Sequence, residues 1–186
     1  MVTIASLWLP IVLAAVLVFI ASSVIHMLPL WHKSDYAPVP REAEVQAALR
    51  PLAPPPGEYF LPFTSDMKAM KAEAFQEKLR AGPVAMLTVL PNGPLSMGGP
   101  LLLWFIYLLL VGGFVALIAA HTLDPGTHYP RVFKVTGAVA FGGYALALLQ
   151  NSIWGRRSWV VTLKSCFDGL IYAGLTAGTF GWLWPH

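Results

Sequence analysis

Charge is what this sequence has least of. Only 11% of its 186 residues are Asp, Glu, Lys or Arg, against roughly 25% in an average soluble domain. A chain this poor in charge cannot cover a water-facing surface, so lipid is expected to be the solvent for much of it. Cysteine is almost missing as well. Cys166 stands alone, which excludes an internal disulfide and a cysteine metal cluster within one chain, and it reads as a small apolar packing residue in a helix. No Walker-type loop, G-x-G-x-x-G, G-x-S-x-G, H-E-x-x-H or C-x-x-C occurs, so no catalytic residue is assigned. A basic run interleaved with aromatics is lacking too, and this excludes nucleic acid as a partner.

Apolar length is what the sequence does have: 56% of it is hydrophobic. Four segments supply the approximately 20 apolar residues needed to cross a hydrocarbon core. They run over about Leu7–Leu30, Leu101–Ala120, Val132–Ile153 and Val160–Trp182. The first is expected to be a retained helix and not a cleaved signal peptide, because Met1–Leu7 has no Lys or Arg and the apolar run is too long. All seven tryptophans (Trp8, Trp31, Trp104, Trp154, Trp159, Trp182 and Trp184) fall near the ends of these segments, where indole prefers the headgroup level. The expected fold is a single all-α membrane domain of four transmembrane helices in a bundle. A long loop with short helices, about residues 31–100, joins the first two.

Orientation follows from Lys and Arg. With four spans, the long loop and the Gly155–Trp159 turn share one side, and the termini and the His121–Arg131 loop share the other. The loop's seven (Lys33, Arg41, Arg50, Lys68, Lys71, Lys78, Arg80) plus Arg156, Arg157 and Lys164 make ten, against Arg131 and Lys134 on the far side. The bias places the loop in the cytoplasm and both termini outside. Within the loop, Pro38, Pro40 and Pro51 bracket a helical piece over Arg41–Arg50, and Pro54-Pro55-Pro56-Gly57 reads as an extended connector. Thr64 or Ser65 can cap a helix to about Ala81, stopped by Gly82-Pro83. That helix suits either the membrane surface or a solvated packing against the loop. Val84–Leu90 reads as a strand or a shallow membrane-contacting segment.

Helices in lipid associate at small residues. Gly112 with Ala116 and Ala120, Ala138 with Gly142, Gly143 with Ala147, and Gly174 with Gly178 are spaced for this. These rows point to a tight bundle of the last three helices. The first lacks such a row and is expected to pack at the periphery or on a partner.

Ionisable and amide groups inside the spans are the informative ones. Asp168 lies nine residues beyond Trp159, roughly 13 Å along the helix. An unpaired carboxylate there costs a few kcal/mol, so it needs a partner. Lys164, four residues earlier, is the first candidate. The topology brings His26, Tyr107, Gln150 and Asn151 to the same level. The layer can hold a substrate, a proton path or a cofactor, or it can simply lock the bundle. No metal site is assigned. His26 and His32 with Asp35 lack i,i+4 ligand spacing, Pro29 intervenes, and the His121/His128 pair flanks an ordinary Asp124-Pro125-Gly126 turn. No cofactor is identified.

Several segments are familiar together: His26-Met27-Leu28-Pro29, Ser34-Asp35-Tyr36, Pro56-Gly57-Glu58-Tyr59, Gln150-Asn151-Ser152-Ile153-Trp154, Asp168-Gly169-Leu170-Ile171-Tyr172 and Gly181-Trp182-Leu183-Trp184-Pro185. With Lys164, they resemble an uncharacterised family of small four-helix bacterial membrane proteins. The resemblance implies the bacterial cytoplasmic membrane and carries no activity. Two functions stay open. The first is a structural or accessory subunit of a membrane assembly, its partners the bilayer and other subunits or further copies of itself. The second is a small-molecule or proton carrier, or a membrane enzyme, using the layer around Asp168 and His26.

Overall fold

The structure is a computed structural model that describes residues 2–28 and 31–186. Leu30, at the end of the first expected span, and Pro29 lie outside the described residues. The chain forms two compact units, one of Met1–Tyr36 with Ser96–His186 and one of Ala37–Leu95, where its length suggested one.

The first unit is mostly helical. A short 3-10 turn, Ile4–Leu7, closed by a reciprocal Thr3–Ser6 capping box, leads into α1, Trp8–Met27. The short α2 (Glu42–Leu49), α3 (Met67–Lys71) and α4 (Glu73–Ala81) belong to the second unit. The remaining helices are α5 (Gly98–Thr122), α6 (Tyr129–Tyr144), α7 (Leu149–Ile153) and α8 (Trp159–Trp182). Three stretches, Ile4–Met27, Gly98–Thr122 and Tyr129–Ile153, are long and apolar enough to cross a membrane. α8 has the length, but Lys164 and Asp168 make it less apolar.

The four long helices close a ring in which α1 packs on α5 and α8, and α6 packs on α8 and α5. This corrects the expectation that the first helix is peripheral. Its inward face is Pro10, Ala14, Val18, Ser22 and Ile25, all buried. Ala14, Val18 and Ser22 stand four residues apart on this face, a row mixing small and β-branched residues that a search for Gly and Ala pairs does not show. At the far end Trp184 Nε1 donates to the Asp124 carbonyl at 3.0 Å, and the Gly126 N–H donates to Pro185 O at 2.8 Å. These bonds tie the end of the chain to the α5–α6 turn.

The third apolar segment is not one continuous helix. α6 ends at Tyr144, Ala145 leaves helical geometry (φ −125°, ψ −46°), and a 3-10 turn over Leu146–Leu148 leads into α7. Such a break frees carbonyls that need donors from elsewhere. Tyr107 Oη donates to Gly143 O at 2.6 Å; Ala145 O accepts the Leu148 N–H at 3.0 Å and is also contacted by Cys166 Sγ at 3.6 Å. The lone cysteine therefore lies against the break.

Small residues do mediate helix contacts, but not at every expected place. A side chain at Gly112 would meet Ile11 at 3.2 Å, and one at Gly143 would meet Val111 at 3.2 Å. At Gly142 and Gly174 nothing lies within 4 Å, and at Gly178 only the Tyr129 hydroxyl does, at 3.8 Å. α8 instead comes closest to its neighbour at two other glycines: a Cβ at Gly181 would stand 2.7 Å from the Tyr129 ring of α6, and one at Gly169 would stand 2.9 Å from Ala145 Cβ, just past the end of α6. Spacing alone does not say which face of a helix turns inward.

In the second unit β1 (Gly57–Leu61) pairs antiparallel with β2 (Ala85–Val89), Gly57 opposite Val89 and Leu61 opposite Ala85. The connector reading of the proline run thus ends one residue into a strand. The helix expected up to Ala81 is two pieces, α3 capped by Asp66 and α4 restarting after the extended Ala72.

Candidate functional site

The site is built at the end of the first unit where α1 finishes and α5 and α8 begin. Asp168, on the second turn pair of α8, is only 3% exposed. Its two oxygens are held by the segment after α1: Trp31 Nε1 donates to Oδ1 at 2.9 Å, and His32 Nε2 lies 2.7 Å from Oδ2. His32 Nδ1 in turn lies 2.7 Å from Asp35 Oδ2. Lys164 Nζ donates to Asp35 Oδ1 at 3.0 Å, to Ser34 Oγ at 2.8 Å and to the Trp31 carbonyl. The result is a continuous chain of charge-assisted contacts, Asp168–His32–Asp35–Lys164.

Lys164 is therefore not the partner of Asp168, although the two share a face of α8. Lys164 lies one turn nearer the start of the helix and reaches Asp35, while Asp168 meets the indole and imidazole one turn further in. At Asp35, burial alone would raise the carboxyl. The hydrogen bonds and charges of His32 and Lys164 outweigh it and hold the group below the usual carboxylate range.

Beside this network lies a cavity of about 960 Å³. His26, Asp168, Ser165 and Tyr172 line its polar part, and Met27, Met97, Leu101, Leu103 and Leu148 its apolar part. Trp104, Tyr107 and Tyr144 complete an aromatic wall. Trp104 stacks on Tyr107 with ring centroids 5.4 Å apart, and Tyr144 meets Tyr172 edge to face at 5.8 Å. Trp104 Nε1 also donates to Ser22 Oγ at 2.9 Å, joining α5 to α1. Among the described residues the buried Tyr172 hydroxyl has no hydrogen-bond partner, an expensive state for a polar group inside a protein.

Of the six residues expected in one polar layer, His26, Tyr107 and Asp168 line this cavity and Lys164 adjoins it through Asp35. Gln150 and Asn151 are exposed and stand outside it. Trp31, Trp104, Tyr144 and Tyr172 carried no signal of this site in the sequence, and His32 was weighed there with Asp35 but not with Asp168. The position of Trp31 and Trp104 near segment ends suggests only the lipid interface for them. Trp8, Trp154, Trp159 and Trp182 are indeed exposed, whereas Trp31 and Trp104 spend their N–H groups on Asp168 and Ser22. Comparison of the chain with protein-family models, curated proteins and solved structures finds no match.

Proposed function

We propose that this chain is a multi-pass protein of the bacterial cytoplasmic membrane, with α8 as a fourth span. In this reading its cavity takes in an amphiphilic small molecule from the bilayer and holds that molecule's polar end against His26, Asp168 and Tyr172. The observation that carries it is the cavity itself: an apolar chamber ending on a carboxylate, an imidazole and an unpartnered buried hydroxyl. Pockets for small molecules are mostly apolar with a few convergent polar groups. A layer serving only to lock the bundle would be filled by protein groups.

A spanning α8 is supported by its two faces. Val160, Leu163, Phe167 and Leu170 are more than half exposed, as lipid contact requires, while its two charged side chains are paired within the protein, which removes most of their cost in a bilayer. Native mass spectrometry of the protein purified in mild detergent is expected to show one amphiphile per chain. Leu148→Trp, which fills the chamber, should reduce that occupancy severalfold. A parent protein that carries no extra mass, with Leu148→Trp indistinguishable from it, would overturn the proposal.

The accessory-subunit reading has one observation of its own. Among the described residues of Ala37–Leu95 none is fully buried, and Phe60 and Leu61 of β1 and Met86 of β2 are about half exposed. A unit without a core is suited to docking on another surface. Stoichiometric partner chains in the same purification, with no amphiphile, would favour it.

The orientation stays as the ten-to-two charge bias sets it. A cysteine at Gln76 in a Cys166→Ser background should resist a membrane-impermeant thiol reagent in intact cells, while Thr127→Cys should label. The reverse pattern would invert the topology.

A further inference from the structure

We infer that the polar end of the cavity binds one first-row divalent cation of the zinc type, through His26 Nε2, His32 Nε2 and Asp168 Oδ2. Ligating atoms of these three residues lie within 4.8 Å of one another. No motif spacing announced them, because the third ligand comes from α8, 136 residues after His32.

The groups behind the ligands carry the argument. His26 Nδ1 donates to the Ser22 carbonyl at 2.9 Å, which leaves Nε2 as the lone-pair nitrogen of the neutral ring. His32 Nδ1 faces Asp35 Oδ2 at 2.7 Å, and Lys164 holds Asp35 in turn. Trp31 Nε1 fixes Asp168 Oδ1 and leaves Oδ2 as the ligating oxygen. His32 and Asp168 thus have their far sides fixed by hydrogen bonds, the arrangement that orients metal-binding imidazoles and carboxylates, and His26 has its Nε2 left free to ligate. Two imidazoles and one carboxylate suit zinc and its neighbours over magnesium or calcium, which prefer all-oxygen shells. Three protein ligands leave a fourth position open, as at catalytic and not structural zinc sites. The Tyr172 hydroxyl, without a partner among the described residues, belongs to a residue lining the same cavity as His26 and Asp168.

Loading the site takes a small rearrangement. The His26 and His32 rings stack with centroids 4.5 Å apart and planes 11° from parallel, so the exposed His26 ring must turn for both Nε2 atoms to meet one ion. The ion then takes the place of the proton between His32 Nε2 and Asp168 Oδ2, and that proton is released to solvent as the two metal–ligand bonds form. This inference deepens the amphiphile reading by naming what meets the polar end, and rests on that reading only for the occupant of the fourth position.

The test uses full-length protein carrying a tag without histidine, stripped with a chelator and titrated with zinc against a chromophoric competitor. One zinc per chain is expected, with no competition from magnesium. His26→Ala and Asp168→Asn should each weaken zinc by at least ~100-fold, and Asp35→Asn, behind a ligand, by ~10–100-fold. Cobalt should give the visible absorption of a four-coordinate nitrogen and oxygen site. A folded parent that retains no zinc, or His26→Ala binding it as tightly as the parent, overturns the site. Leu148→Trp separates the two readings: zinc kept while the amphiphile is lost supports both. Zinc absent while amphiphile is present in the parent sinks the metal alone, and the converse sinks the amphiphile alone.

Discussion

Asp168→Ala should lower the stability of the folded protein by about 3 kcal/mol, the low end of the cost of removing one partner from a buried ion pair. The carboxylate is nearly fully buried and takes up both Trp31 Nε1 and His32 Nε2. Alanine leaves both groups without an acceptor, and the segment after α1 loses its anchor on α8. Asp168→Asn keeps an oxygen for Trp31 and should cost less than half as much, while Lys164→Met should be milder still, because Lys164 is partly exposed and bonds to Asp35. Thermal unfolding in detergent, followed by tryptophan fluorescence, reads all three. Equal melting of Asp168→Ala and Asp168→Asn would show that the hydrogen bonds contribute nothing and that burial of a side chain alone is felt.

That ordering depends on contacts that no spacing rule could supply, which marks where the sequence was legible. The long helices were readable because an apolar run of that length has few other fates: α5 and α8 lie within three residues of the expected segments at both ends, whereas the third expected segment is broken at Ala145. Asp168 and His26 were readable as well, since an ionisable group inside an apolar helix demands a partner. The partner's identity was not. Helical periodicity puts Lys164 on the same face as Asp168, but Trp31 and His32 arrive from a turn whose path is set by tertiary packing. The interruption at Ala145 was equally hidden. The Gly142-Gly143 pair stands in the turn just before it and is a common site of kinks, but a glycine pair does not by itself fix where a helix breaks, and the contacts of Tyr107 with Gly143 O and Cys166 with Ala145 O come from residues remote in sequence.

Gly169 is where this tertiary information has its sharpest consequence, and Gly169→Val should destabilise the protein by about 2–3 kcal/mol, the upper part of the usual range for overpacking. A Cβ there would lie 2.9 Å from Ala145 Cβ and 3.3 Å from the Tyr144 carbonyl carbon and oxygen. Neither neighbour is the free end of a flexible side chain, so the collision can be relieved only by moving α8 off the end of α6. Gly174, whose four-residue spacing from Gly178 had suggested the close contact, meets nothing within 4 Å. Gly174→Ala should therefore be neutral or stabilising by up to ~1 kcal/mol, since alanine is the better helix former, and Gly174→Leu should be mild. The comparison separates face from spacing, because the two glycines lie five residues apart on one helix, pointing in different directions. Because Gly169 adjoins Asp168, displacement of α8 should also open the contact with His32, so Gly169→Val is expected to lose bound zinc along with stability. Detergent melting temperatures measured beside zinc content decide it: a Gly169→Val protein as stable as its parent, or a Gly174→Leu protein that fails to fold, would reverse the assignment of the packing face of α8.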